Sequence, residues 1–257
     1  MGYIRFYLAL AVAISHAGLS APMNASYAVQ FFFVISGYYM AQILDGPYKG
    51  DALRFYANRA LRIFPAYWIV AGVTFALMVL ADSTWPMARM VRGEFFDLGA
   101  VLANLLIFGQ DFIAQSNPQL LLVVPAWSIA MELYFYLLAP LLVRVPTRYL
   151  IVIGLVLSWQ SQHILLAHAQ LCFFIAGIVI YRTGFKIAHE SKADTFLGKL
   201  SYPLYLIHYP VIHVFGFYKF YGLAFSLALS VALLLLLEPL ERVRGRIREP
   251  RTNAVPA

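Results

Sequence analysis

Three ionisable side chains stand inside apolar stretches of this sequence: His16, Glu132 and His208. Charge is expensive at membrane depth, so each is a functional hypothesis by default. Two imidazoles and a carboxylate are what activation of an alcohol needs, with one imidazole taking the hydroxyl proton and another group orienting it or stabilising its charged form. His16 lies eleven residues after Arg5. At 100° per residue it returns to nearly the same helix face about three turns deeper, so a cationic mouth and an imidazole share one wall. Tyr136 follows Glu132 by one turn, and Tyr205 precedes His208 by three residues. A plainer alternative stays open, because membrane helices also use His, Ser and Glu as interhelical hydrogen-bond partners. Glu132 in particular could brace the bundle by pairing Arg5, Arg59 or Arg62.

Arg54, Arg59 and Arg62 form a cluster followed by the aromatic run Ile63-Phe64-Pro65-Ala66-Tyr67-Trp68. Arginine forks suit phosphates, although the excess of basic residues in cytoplasmic loops explains the same cluster without a ligand. In the run from Gln30 to Gly37, Ser36 and Gly37 interrupt Phe and Val. Small residues there permit close helix approach, while Ser36 could equally line a substrate path. Gln30, Ser36, Tyr136, Tyr205 and His208 are the substrate-lining candidates. His163 and His168 could line a cavity or be structural, and His189 and His213 read as loop or interface residues. The single cysteine, Cys172, sits in an apolar run, which leaves no internal disulfide and no cysteine-based metal site. No metal is expected.

These residues must be held by membrane helices. Of 257 residues, 62% are hydrophobic and 12% charged, against about 25% charged in soluble domains. The formal charge of +7 is spread over short runs between apolar segments, which reads as topology signals and headgroup contacts rather than a nucleic-acid surface. Nine apolar segments recur, at about 4–20, 27–44, 63–81, 98–112, 120–143, 149–159, 163–181, 201–217 and 223–237, some of them shorter than the roughly 20 residues a span needs, and 149–159 would need 160–163 to complete a crossing. The first is read as a span rather than a secretion signal, because a second apolar segment follows at once and His16 sits in its core.

Lys49, Arg54, Arg59 and Arg62, the stretch 182–199 and the stretch 242–251 are the basic regions, and they should be cytoplasmic. Both termini are then inside and the number of spans is even. That condition is met if 98–112 lies at or dips into the outer interface, bracketed by Asp97 and Asp111. The expected fold is all-α, a polytopic bundle of about eight spanning helices with one interfacial or re-entrant segment. Residues 1–241 form the membrane domain and 242–257 a basic, solvated cytoplasmic tail.

Taken together the segments resemble the integral membrane acyltransferase family three, the group of O-antigen and peptidoglycan O-acetyltransferases. The motifs are Arg5 with ten residues to His16, Phe32-Phe33-Val34-Ile35-Ser36-Gly37-Tyr38, Asn58-Arg59-Ala60-Leu61-Arg62-Ile63-Phe64-Pro65, Trp127-Ser128-Ile129-Ala130-Met131-Glu132-Leu133-Tyr134-Phe135-Tyr136, and Leu200-Ser201-Tyr202-Pro203-Leu204-Tyr205-Leu206-Ile207-His208. The resemblance implies acyl-CoA, with acetyl-CoA the expected donor, on the cytoplasmic side as a co-substrate rather than a permanent cofactor. It also implies a carbohydrate or lipid-linked glycan acceptor and a bacterial inner membrane. Arg59 and Arg62 would hold the CoA phosphates, Arg5 would guide the thioester, His16 would be the general base and Glu132 would orient its imidazole or stabilise its charged form. Ser36 or Tyr205 could instead carry the acyl group transiently. The chain departs from the family pattern in lacking a helix pair between Leu142 and Cys172-Phe173-Phe174-Ile175-Ala176-Gly177. A fused esterase-like domain is not expected, so a second transfer step would need a separate periplasmic partner. Two other classes compete: a glycan exporter or flippase, which needs neither His16 nor acyl-CoA, and a non-catalytic scaffold, which would tolerate apolar replacements of the buried polar residues.

Overall fold

In hydrocarbon each backbone N–H and C=O must be satisfied without water, and a helix does so within one segment. The computed structural model describes residues 1–81, 84–163, 170–185, 191–214, 216–217 and 219–248, and among them the regular elements are all helical. In chain order these are α1 (Gly2–His16), α2 (Ala25–Asp45), α3 (Ala52–Leu80), α4 (Pro86–Val91), α5 (Leu98–Leu106), α6 (Gln110–Ser116), α7 (Trp127–Leu142), α8 (Thr147–His163), α9 (Leu171–Arg182), α10 (Lys192–Tyr209), α11 (Lys219–Leu236) and α12 (Glu238–Arg248). Asn24 and Asp51 cap α2 and α3 with their side-chain oxygens, accepting from Ser26 and Arg54 backbone amides at 2.8 and 3.0 Å. Such caps satisfy first-turn donors that have no partner within the helix.

Among the described residues, four helices are long and apolar enough to cross a membrane: Ala25–Asp45, Ala52–Leu80, Val124–Leu142 and Lys219–Leu236. The protein is therefore an all-α integral membrane protein. Phe220, Phe225, Leu229, Leu235 and Leu236 stand exposed along α11, as side chains facing lipid do. The remaining segments expected to cross fall on α1, α8, α9 and α10, which are shorter or carry more charge. The stretch 98–112 breaks into α5 and α6 at Ile107 and Gly109, both at positive φ. With 9 and 7 residues, neither piece can span a hydrocarbon core about 30 Å thick.

Asp111 is buried inside the protein. It is only 3% exposed and accepts from the Tyr134 hydroxyl at 3.2 Å. The non-crossing segment is held inward by polar contacts of this kind. Asn104 donates to the Leu120 carbonyl at 2.8 Å and accepts from the Leu122 amide at 2.8 Å, and Gln110 donates to the Tyr67 hydroxyl at 2.7 Å. Irregular backbone at this depth persists where such partners replace water.

Two glycine contacts set the bundle. A Cβ on Gly37 would stand 2.0 Å from the Phe174 carbonyl oxygen, and one on Gly177 would stand 2.0 Å from that of Val34. The backbones of α2 and α9 therefore touch, the close approach expected of Gly37. Gly2 and Gly198 do the same for α1 and α10, and Asp194 of α10 accepts from the Tyr3 amide at 2.8 Å. Arg182, at the end of α9, donates to the Val143 and Val145 carbonyls at 2.8 and 2.7 Å, capping the end of α7.

Residues 238–248 form a helix, so the expected tail boundary at 241/242 falls within α12. This helix packs on α3 instead of standing free. The tail from 249 onward, His168 and His189 lie outside the described residues.

Candidate functional site

Arg54, Asn58 and Arg62 recur every four residues in the first turns of α3, with Arg59 beside them. Residues at this spacing share a helix face. That face borders a cavity of about 750 Å³ that also meets α1, α2, α7, α10 and α12. Six cationic side chains line it, Arg5, Arg59, Arg62, Lys199, Arg244 and Arg248, against the carboxylates Glu132, Asp194 and Glu241. Arg5 and Arg62 have no hydrogen-bond or ion-pair partner among the described residues. Arg59 is 8% exposed and donates to the Asn58 side chain at 2.9 Å, and its Nε is buried without a partner. On α12, outside the spans, burial and then repulsion from Arg62 lower the Arg244 guanidinium to about 10, with Glu241 opposing them. This much uncompensated, partly dehydrated positive charge suits an anion.

Glu132 stands at the inner limit of that cavity. It is not paired with arginine, as the bracing alternative required. Its Oε1 accepts from the Ser36 hydroxyl at 2.7 Å and from the Tyr136 hydroxyl one turn on along α7. A carboxylate held by two hydroxyls can take a proton from one of them.

Beyond Glu132 a small slot of about 50 Å³ continues from the cavity, lined by Arg5, Ser36, Glu132, Ser128, Tyr202 and Tyr205 among others. Tyr205 shares a 2.8 Å hydrogen bond with Ser128, and its ring lies 5.8 Å from that of His208. His208 is fully buried. Its Nε2 is 2.9 Å from Nδ1 of His16, and the two rings stack at 5.1 Å and 9°. Nδ1 of His208 lies 3.1 Å from the Leu204 carbonyl. A carbonyl only accepts, so this nitrogen carries the proton and Nε2 of the neutral ring is the acceptor. Nδ1–H of His16 must then be the donor, which leaves the lone pair on Nε2 of His16, the form a general base requires.

The sequence-derived residues thus separate into two groups at different depths. Arg5, Arg59, Arg62, Ser36, Glu132 and Tyr136 meet at the cavity, whereas His16 and His208 pair at the other end of α1, about 16 Å along its axis from Arg5 at 1.5 Å per residue. Glu132 does not orient His16; His208 occupies that position. The cause is register, since Glu132 packs at the depth of Arg5 rather than three turns deeper. Gln30 is half-buried on α2 and stands outside both cavities. His163 ends α8.

Sequence reading missed His213, Asn58, Lys199 and Arg244. His213, expected in a loop or at the interface, lies with its ring 5.8 Å from His16. It sits in the π-helical turn Pro210–Val214, and the wider turn returns a residue five positions after His208 to the same side, where an α-helix would turn it away. Pro210 after a polar helix end was the one signal. Arg244 was hidden by its resemblance to a topology anchor.

Comparison with known proteins follows the same lines. The family described as "Acyltransferase domain" matches residues 1–193. The O-acetyltransferase OatA of Staphylococcus aureus (strain NCTC 8325 / PS 47) is 29% identical over 149 residues, covering 54% of this chain and 24% of that protein. Nodulation protein 10 of Rhizobium leguminosarum bv. viciae is 26% identical over 189 residues, covering 62% of this chain and 50% of that protein. The chain thus spans about a quarter to a half of the length of these relatives. No solved structure matches it. With the family's domain laid over three quarters of the sequence and its motif residues gathered around one cavity and one histidine pair, the chain belongs to the integral membrane acyltransferase family three.

Proposed function

We propose that this protein is an O-acyltransferase that moves an acyl group, acetyl in the first instance, from acyl-CoA to a hydroxyl of a cell-envelope or exported carbohydrate. The observation that carries the reading is a six-cation cavity that shares Arg5, Ser36, Glu132 and Tyr202 with the slot, whose Tyr205 ring lies 5.8 Å from that of His208, the partner of His16. The basic end faces the cytoplasm by the positive-inside rule, with α1, α2, α3, α7, α8, α9, α10 and α11 as the spans of a bacterial inner-membrane protein. Arg59 and Arg62 hold the donor's phosphates, Arg5 stands at the slot, and the acyl-pantetheine arm threads inward.

His16 acts as general base. Its Nε2 takes the acceptor hydroxyl's proton as the oxygen bonds to the thioester carbonyl, the C–S bond breaks, and the proton passes to the departing CoA thiolate. His208 holds the tautomer and stabilises the imidazolium. A covalent relay through Ser36 has support of its own in the 2.7 Å contact with Glu132. In that route Glu132 takes the Ser36 proton, Ser36 Oγ bonds to the acyl carbon and CoA leaves as the thiol. The acceptor hydroxyl oxygen then bonds to the acyl carbon of the Ser36 ester, the bond to Ser36 Oγ breaks, and the acceptor's proton returns through Glu132 to regenerate the Ser36 hydroxyl. The likeness to the O-acetyltransferase OatA supports acetyl transfer.

The test is ester-linked acyl groups on extracted glycans from a host lacking the protein, complemented with wild type or His16→Ala at matched membrane abundance. An ester dependent on His16 supports the reading, and its mass identifies the donor acyl. Equal ester levels with His16→Ala, or none with wild type, contradict it.

A further inference from the structure

The helix α12 lies outside the span matched by the family domain, residues 1–193, and on sequence it is a string of arginines of the kind that anchors topology. In the structure it is docked at two points. Arg54 of α3 donates to the Ile247 carbonyl at 2.5 Å, one of the last four carbonyls of α12 with no partner inside the helix. Asn58 donates to the Arg244 carbonyl at 2.9 Å. The same Asn58 side chain presents its oxygen to two guanidinium groups, Arg59 at 2.9 Å and Arg244 at 3.5 Å. Two like charges are therefore held side by side on a neutral hub, with Arg62 near both. Glu241 pairs Arg244 from one side. The Nε atoms of Arg59 and Arg244 are nonetheless buried with no acceptor among the described residues, and both residues line the cavity. Buried donors of this kind carry a full desolvation cost until an acceptor arrives.

We propose that α12 is the clasp of the donor site, and that Arg244 and Arg59, spaced by Asn58, form a two-guanidinium fork for a phosphate ester of the donor's nucleotide handle. The inference rests on the acyl-CoA reading and extends it. The specificity of the cavity for a phosphate-bearing carrier, over the bare pantetheine thioester, comes from α12 as much as from α3. Arg242 on the opposite face is exposed and paired with Glu238 at 2.8 Å, so it supplies the same charge to the region without entering the cavity.

The experiment uses the full chain in phosphatidylcholine nanodiscs, titrated calorimetrically with CoA and with pantetheine. Arg244→Gln is expected to weaken CoA binding by roughly tenfold or more, the loss of charge-assisted hydrogen bonds, and to leave pantetheine binding unchanged. Arg242→Gln is expected to match wild type. Hydrogen exchange across α12 checks that the helix stays docked. If Arg244→Gln undocks it, Arg244→Lys keeps the charge, removes the fork, and must still weaken CoA alone. CoA binding unchanged in Arg244→Gln, or weakened equally in Arg242→Gln, overturns the clasp while leaving the donor reading standing. If wild type does not prefer CoA over pantetheine, the donor reading falls and the clasp with it. Arg244-dependent binding of phosphatidylglycerol in its place assigns the fork to a lipid headgroup, which also overturns the proposal.

Discussion

Nδ1 of His16 and Nε2 of His208 stand 2.9 Å apart, their rings nearly parallel, while the far nitrogen of His208 meets the Leu204 carbonyl. The chain carbonyl–His208–His16 has one consistent direction of donation, and it ends on the unprotonated Nε2 of His16.

His208 therefore works through His16 rather than on substrate. Replacing it with Phe removes the acceptor and is expected to lower the acylation rate roughly 10²–10⁴-fold, the contribution of a positioned acid–base group. His208→Gln keeps an acceptor oxygen within reach of Nδ1–H and is expected to recover part of that loss, with the donor's KM unchanged in both. Initial rates at saturating acyl-CoA check this; equal rates for Phe and Gln would mean that the pairing is only packing.

The Ser36–Glu132–Tyr136 cluster separates the two routes for the acyl group. Glu132→Gln can no longer accept a proton from Ser36, so the relay predicts loss of a protein-bound acyl ester and of turnover together. Direct transfer predicts that Ser36→Ala stays within about tenfold of wild type, because the hydroxyl then only lines the slot. Mass spectrometry of the denatured protein after brief incubation with labelled acetyl-CoA reads the Ser36 ester.

Arg62 has no side-chain hydrogen bond or ion pair among the described residues, so substituting it leaves no orphaned carboxylate behind, whereas Glu132 lies within electrostatic reach of Arg5. Arg62→Gln is expected to raise the donor's KM roughly tenfold, a lost charge-assisted phosphate contact, with little change in melting temperature. Arg5, deeper and at the slot, is expected to affect kcat more than KM when changed to Gln. Steady-state kinetics with detergent-stable protein distinguish the two.

Packing at the α2–α9 contact leaves no room for a methyl group. Gly37→Ala and Gly177→Ala each drive a Cβ into a facing backbone carbonyl and are expected to cost about 1–3 kcal/mol, the usual range for overpacking. Ser36 precedes Gly37, so activity falls with stability. Thermal unfolding in detergent measures it, and wild-type stability in both variants would contradict the contact.

Much of this was legible in the sequence because membranes simplify the reading. Hydropathy placed α1, α2, α3, α7 and α11, and the cluster of Arg54, Arg59 and Arg62 marked the basic end of α3. Pairing was not legible. Nothing in single-helix periodicity says that Glu132 meets Ser36 while His16 meets His208, since depth along neighbouring helices depends on loop lengths and on contacts such as Gly37 against Phe174. The π-turn that recruits His213 and the docking of α12 depend on tertiary partners, and basic residues near a terminus look alike whether they anchor a chain or line a site.

The central claim is that a donor bound at the basic end is used at His16, about 16 Å away along α1. It is tested most directly by supplying radiolabelled acetyl-CoA to inverted membrane vesicles and following label into ester on glycan or lipid-linked acceptor. Wild-type vesicles are predicted to transfer label, and His16→Ala vesicles to bind acetyl-CoA normally without transferring it. Undiminished transfer by His16→Ala, or no transfer from acetyl-CoA by well-folded wild type, would contradict the account.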